Sequence, residues 1–141
     1  MHIGTKTDFV EIFELERAPD GVPNAGNVRI SVQVTLGEFN GRYESIWLEE
    51  PVLREFVEQL ARLEKERVGT ARLTSYSPDE FVLAISSRDK LGHILGEVSL
   101  SRYRHLENES RPTTVSGAFA IDAGALLSLL ADFRNLHISY D

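Results

Sequence analysis

Nine residues, Val28-Arg-Ile-Ser-Val-Gln-Val-Thr-Leu36, alternate apolar and polar without a break. A period of two puts the apolar side chains on one face of an extended segment, so this stretch reads as a half-buried strand. Gly37-Glu-Phe-Asn-Gly41 follows, with glycines free to take the positive φ that a hairpin loop needs. The chain returns as Arg42-Tyr-Glu-Ser-Ile-Trp-Leu48. With Leu36 placed opposite Arg42, one face holds Ile30, Val32 and Val34 with Leu48, Ile46 and Glu44. The other holds Arg29, Ser31, Gln33 and Thr35 with Trp47, Ser45 and Tyr43. A slip of one residue would exchange the faces of one strand.

A helix is expected at once after this hairpin. Pro51 suits a first helical position, where its missing N–H costs nothing. Glu49, Glu50 and Glu55 crowd the start and Arg62, Lys65 and Arg67 the end, as the helix dipole favours. Val52, Leu53, Phe56, Val57, Leu60 and Leu63 form one stripe at helical spacing, which would cover the apolar face of the sheet. Gly69 lies just beyond, where a left-handed cap is common.

The remaining segments follow the same logic. Asp8 to Glu16 is rich in β-formers and reads as an opening strand, with Val10 and Ile12 on one face and Phe9, Phe13 and Leu15 on the other. Ala18 to Asn27 is a loop on its prolines, glycines and asparagines. Past the helix, strands are expected over 71–76, 80–87, 93–103 and 113–121, with Leu106 to Pro112 as a polar loop. In the last strand Val115, Phe119 and Ile121 share a face, with small residues on the other. Asp122 is placed to cap a second helix from Ala123 to about Leu136, striped by Leu126, Leu127, Leu130 and Phe133, with Leu129 beside them. The order β-β-β-α-β-β-β-β-α predicts an α+β fold: an antiparallel sheet of about six or seven strands with two amphipathic helices packed on it. At 141 residues the chain is expected to form a single domain, 1–141, with a sizeable core.

The order, with Asn27-Val-Arg-Ile-Ser-Val-Gln-Val-Thr-Leu-Gly-Glu-Phe-Asn-Gly-Arg-Tyr-Glu44 leading into Leu53-Arg-Glu-Phe-Val-Glu-Gln-Leu60, resembles the WapI-type immunity protein family. The likeness continues through Phe119-Ala-Ile-Asp122 into the terminal helix and runs from about Phe9 to Leu136. It implies a small cytoplasmic protein that binds and neutralises a cognate toxin domain delivered by neighbouring cells, some such toxins being nucleases on RNA. It brings no catalytic motif.

The residues themselves name no reaction. His2, His93, His105 and His137 form no metal-ligand spacing, and there is no phosphate-cradling glycine loop or nucleophile elbow. Without cysteine there is no disulfide framework and no thiolate chemistry. No cofactor and no metal are expected, and the chain is not expected to be an enzyme. His93, Glu97 and Tyr103 along one strand face are the material a scattered hydrolase site would use, should they cluster with a nucleophile.

Fifteen Lys and Arg against 22 Asp and Glu leave a net charge of −7. Phosphate repulsion then disfavours nucleic acid, whereas a basic protein would be steered in. No apolar run approaches the roughly 18 residues of a membrane span, and the first residues lack a signal-peptide core, so the expected location is cytoplasmic, away from the membrane. Tyr43 and Trp47 beside Arg29, with Glu38, Glu44, Glu49 and Glu50 close in sequence, form the candidate partner-binding patch, because Tyr, Trp and Arg dominate interface hot spots. The leading expectation is a non-enzymatic immunity-type protein that occludes the active surface of a basic toxin domain. The alternative is a small-ligand-binding module with a deep pocket lined by Phe and Leu.

Overall fold

Four strands and a helix are followed by four more strands and a second helix in the computed structural model, which describes residues 1–89 and 91–138. Strands β1 (His2–Gly4), β2 (Asp8–Arg17), β3 (Val28–Leu36) and β4 (Phe39–Leu48) form one antiparallel sheet in that order. After α1 (Glu50–Glu66), strands β5 (Thr70–Thr74), β6 (Phe81–Ser87), β7 (Ile94–Leu106) and β8 (Glu109–Ile121) form a second. A 3-10 turn at Ala123–Ala125 leads into α2 (Leu126–His137). The class is α+β, but the strands divide into two sheets of four instead of one of six or seven. Periodicity marks which segments are strands and says nothing of which edges meet. The added strand is β1, whose N-terminal amine donates to the Ile12 carbonyl at 3.0 Å.

The alternation of β3 does what its period requires except at Ser31, which is buried although it falls on the outward side. Val28, Ile30, Val32 and Val34 are fully buried, while Arg29, Gln33 and Thr35 are half-exposed. Across the hairpin, Val28 pairs with Leu48, Arg29 with Trp47 and Ile30 with Ile46. This is two residues from the expected register, an even shift that leaves faces unchanged. Between Ile30 and Val32 the ladder slips: β4 carries Glu44 and Ser45 opposite Ser31, and Val32 pairs with Tyr43. The extra residue of this bulge turns Tyr43 to the inner face with Val32, opposite to the side expected for it.

Helix α1 buries Leu53, Phe56, Val57, Leu60 and Leu63 of the expected stripe, while Val52 at its start is only partly buried. Its first turn is closed from outside, since the Glu50 N–H donates to Asn27 Oδ1 at 2.9 Å. The loop before Asn27 is tied by Ala18 N–H to Asn27 O at 2.9 Å and Gly26 N–H to Ala18 O at 3.1 Å. The left-handed cap falls on Arg67 (φ 57), not on Gly69, and the Arg67 side chain holds itself there by donating from Nε to Glu64 O at 2.9 Å. Asp122 caps the 3-10 turn through Gly124 N–H at 3.1 Å. In α2, Leu126, Leu129, Leu130, Phe133 and Leu136 are buried. Leu127 is 63% exposed, so Leu129 takes the place expected for it in the stripe.

One hydrophobic cluster joins both sheets and both helices. Phe56 of α1 meets Phe133 of α2 edge-on, centroids 4.7 Å apart. Strand β8 crosses the first sheet and touches all four of its strands. Gly41 lets β4 approach β8 at that crossing, and Gly96 makes room within the second sheet for its ladder partner Phe119. A Cβ at Gly41 would lie 3.0 Å from Val115, and one at Gly96 would lie 2.4 Å from the Phe119 ring that fills the space over it.

Candidate functional site

The outer face of the first sheet is the surface on which the expected partner residues are testable against geometry. Directly opposed residues of an antiparallel ladder share a face. Phe13 pairs with Ser31, Glu16 and Trp47 both flank Arg29, and Arg29 and Ser31 are two apart on β3. Arg29 Nε donates to Glu16 Oε2 at 3.0 Å across β2 and β3, and Trp47, the partner of Arg29 on β4, is half-buried. Phe13 stands 49% exposed, and Leu15, displaced by the bulge between Glu14 and Glu16, is 46% exposed. At the far end of β2 the His2 ring lies over Phe9, centroids 4.7 Å apart. The face therefore carries solvent-facing apolar and aromatic side chains interleaved with charges.

The seven expected residues do not all gather here. Arg29 and Trp47 are direct cross-strand partners; the expected register puts them on one face but with Trp47 opposite Ser31. Glu44 is exposed in the bulge, with Arg42 Nε 3.7 Å from its Oε1. Glu38 sits in the turn and Glu49 at the N-cap position of α1, where its side chain makes no capping bond; they lie at opposite ends of the ten-residue β4, roughly 30 Å apart at the rise of a strand. Glu50 is engaged by His137 Nε2 at 3.1 Å and by Arg54 Nη1 at 3.3 Å, where it ties the start of α1 to the end of α2.

Tyr43 faces the other way and joins the two sheets: its hydroxyl donates to Glu80 Oε1 at 2.8 Å and the Arg102 guanidinium lies 5.3 Å from its ring centre. Burial, first of all, and then the hydrogen bond to Glu80 and its negative charge push the Tyr43 hydroxyl above its ordinary pKa, against the pull of Arg102. Phe13 and Leu15 complete the face and were legible only as the odd side of an imperfectly alternating strand.

The hydrolase grouping comes apart. His93 lies before β7 and pairs with Asp89, whose carboxyl is held below its ordinary pKa chiefly by that hydrogen bond. Glu97 lies within β7, and Tyr103 is six residues further, about 20 Å along the strand. The large side chains that would line a ligand pocket, Phe56, Phe81, Phe133 and Leu83 among them, are packed to full burial. Among the described residues no group of His, Asp and Glu is arranged to hold a metal ion, and no helix is long and apolar enough to cross a membrane.

The model of the WapI-like immunity protein family matches residues 1–140. The chain belongs to that family. A WapI-like immunity protein implies a toxin as its partner in general terms. No curated protein and no solved structure gives a significant match to this WapI-like chain.

Proposed function

We propose that this protein is a non-enzymatic, cytoplasmic immunity protein, one domain throughout, that binds a cognate toxin domain and neutralises it by covering its active surface. The observation that carries the reading, beside family membership, is the open face of the first sheet, where Phe13 and Leu15 stand exposed beside the Trp47–Arg29–Glu16 row. A half-buried tryptophan with an arginine as its cross-strand partner is the kind of anchor that interface hot spots favour. Glu38, Glu44 and Glu49 edge β4, and with a net charge of −7 they suit a basic toxin surface.

The test is binding to a panel of purified toxin domains, with the fitting domain then titrated against variants. Trp47→Ala combined with Glu49→Arg should weaken binding by about thirtyfold or more, roughly the ≥ 2 kcal/mol of a hot spot. Added salt should slow association. Unchanged affinity in the double variant would discard this face, and a chain that protects against no toxin domain would discard the neutralising role.

A further inference from the structure

The hairpin of β7 and β8 reaches beyond the sheet that bears it. Strand β6 begins at Phe81, opposite Leu100, and the last bond from that side is Ser101 N–H to Glu80 O at 2.8 Å. Beyond it, Arg102 to Leu106 and Glu109 to Thr113 pair only with each other. A free two-stranded ribbon has little apolar surface to bury and is marginal by itself. Here it is also loaded with like charge. Arg104 is directly opposite Arg111, a pairing that destabilises a ladder. Arg102 is on the same face, two residues before Arg104.

That face borders a cleft of about 200 Å³ between the ribbon and the Asn40–Tyr43 end of β4, lined by Arg42, Tyr43, Arg102, Arg104 and Thr113. Arg111 is 3.1 Å from Glu109 and Arg42 is 3.7 Å from Glu44. Among the described residues, neither Arg102 nor Arg104 has a carboxylate within 4.0 Å. The Arg102 guanidinium is instead positioned over the Tyr43 ring, which is itself held by Glu80. A planar cation placed by an aromatic face and left without an anion is ready to receive one, and carboxylates match its fork bidentately.

We propose that this cleft is a docking site for an acidic segment of a protein partner, whose carboxylates pair with Arg102 and Arg104. The charge of the surroundings selects that occupant over nucleic acid. The chain is net acidic, and Glu44, Glu80, Glu107 and Glu109 lie around the arginines, so a continuous phosphate backbone would meet repulsion on leaving the cleft. A short acidic segment carries its charge only over the cleft and so meets less of that repulsion than a polyanion that continues past it. The proposal stands whether or not the partner is a toxin, because it uses the face of the molecule bearing Tyr43 and not the one bearing Trp47.

The experiment is fluorescence anisotropy of the full chain with labelled hexaglutamate at low salt, beside an oligothymidylate of equal charge. Saturable binding of hexaglutamate is expected, weakened about tenfold or more in Arg102→Gln plus Arg104→Gln. The control, Arg62→Gln plus Arg88→Gln, removes the same charge elsewhere and should bind as the wild type does. Circular dichroism verifies that each variant is folded, and the single variants Arg102→Gln and Arg104→Gln replace the double one should it unfold. Absent binding of hexaglutamate, an equal loss in the control, or tighter binding of the oligothymidylate would each overturn the proposal.

Discussion

Tyr43 donates to Glu80 from the inner side of β4, and its hydroxyl titrates above the ordinary tyrosine value of 10.0 because burial and the Glu80 contact both disfavour the phenolate. The folded state therefore holds this proton more tightly than the unfolded chain. The resulting stabilisation is complete below the unfolded value of 10.0 and is lost as pH rises through the folded value. At neutral pH, Tyr43→Phe should cost about 0.5–1.5 kcal/mol, the usual net worth of one hydrogen bond. Urea titrations at about pH 8 and about pH 11 should show the gap between wild type and variant narrowing at the higher pH. A constant gap would mean that the contact contributes nothing specific to the neutral form. The neighbouring residues show how far sequence reading reaches. Arg29 and Trp47 were legible as face-sharing neighbours because an even register error leaves faces intact. Tyr43 was not, because the bulge at Glu44 and Ser45 is a choice among ladders that local alternation does not settle. Past that bulge, β4 meets β8 at Gly41 and Val115, a contact 74 residues apart in the chain.

At the scale of elements, α2 separates what periodicity can and cannot assign. Leucines at 126, 127, 129 and 130 fit a stripe drawn to either side, and only the tertiary packing selects Leu129 over Leu127. Leu130→Ala should cost about 2–5 kcal/mol, since Leu130 is 3% exposed and the cavity would open beside Phe133 and Leu126. Leu127→Gln should leave stability within about 0.5 kcal/mol of wild type. Thermal unfolding of the two variants checks both, and comparable losses would mean that Leu127 is packed. The long ribbon of β7 and β8 was legible in part. Its strands were expected to stop at Tyr103 and to resume at Thr113, with a polar loop between. Arg, His, Glu and Ser at the intervening positions read as loop because they have no core to face. They are nonetheless strand, closed by a turn in which Glu107 takes φ 54.

The whole molecule is built as two successions of four strands and a helix, yet neither succession is closed on itself. Helix α1, which follows the first sheet, packs along β5 of the second. The C-terminal carbonyls of α2, which follows the second sheet, are capped from the first: Arg17 of β2 donates from Nη1 to His137 O at 3.0 Å and from Nη2 to Leu136 O at 2.5 Å. Strand β8 lies across all four strands of the first sheet, and the Tyr76 N–H donates to Trp47 O at 2.8 Å where the sheets adjoin. Each half thus completes the burial of the other, so opening one exposes the apolar face of both. This arrangement predicts a single cooperative transition, which is also the rule for chains of this length. Trp47, the only tryptophan, reports on the first sheet, while far-UV circular dichroism reports on all strands and helices together. The two signals should share one midpoint in urea, with a slope on the order of 1–3 kcal/mol per molar. A Trp47 transition at lower urea than the dichroism would mean that the first sheet opens alone. The face bearing Trp47, Arg29 and Phe13 would then be the least stable part of the molecule, not a rigid platform for a partner.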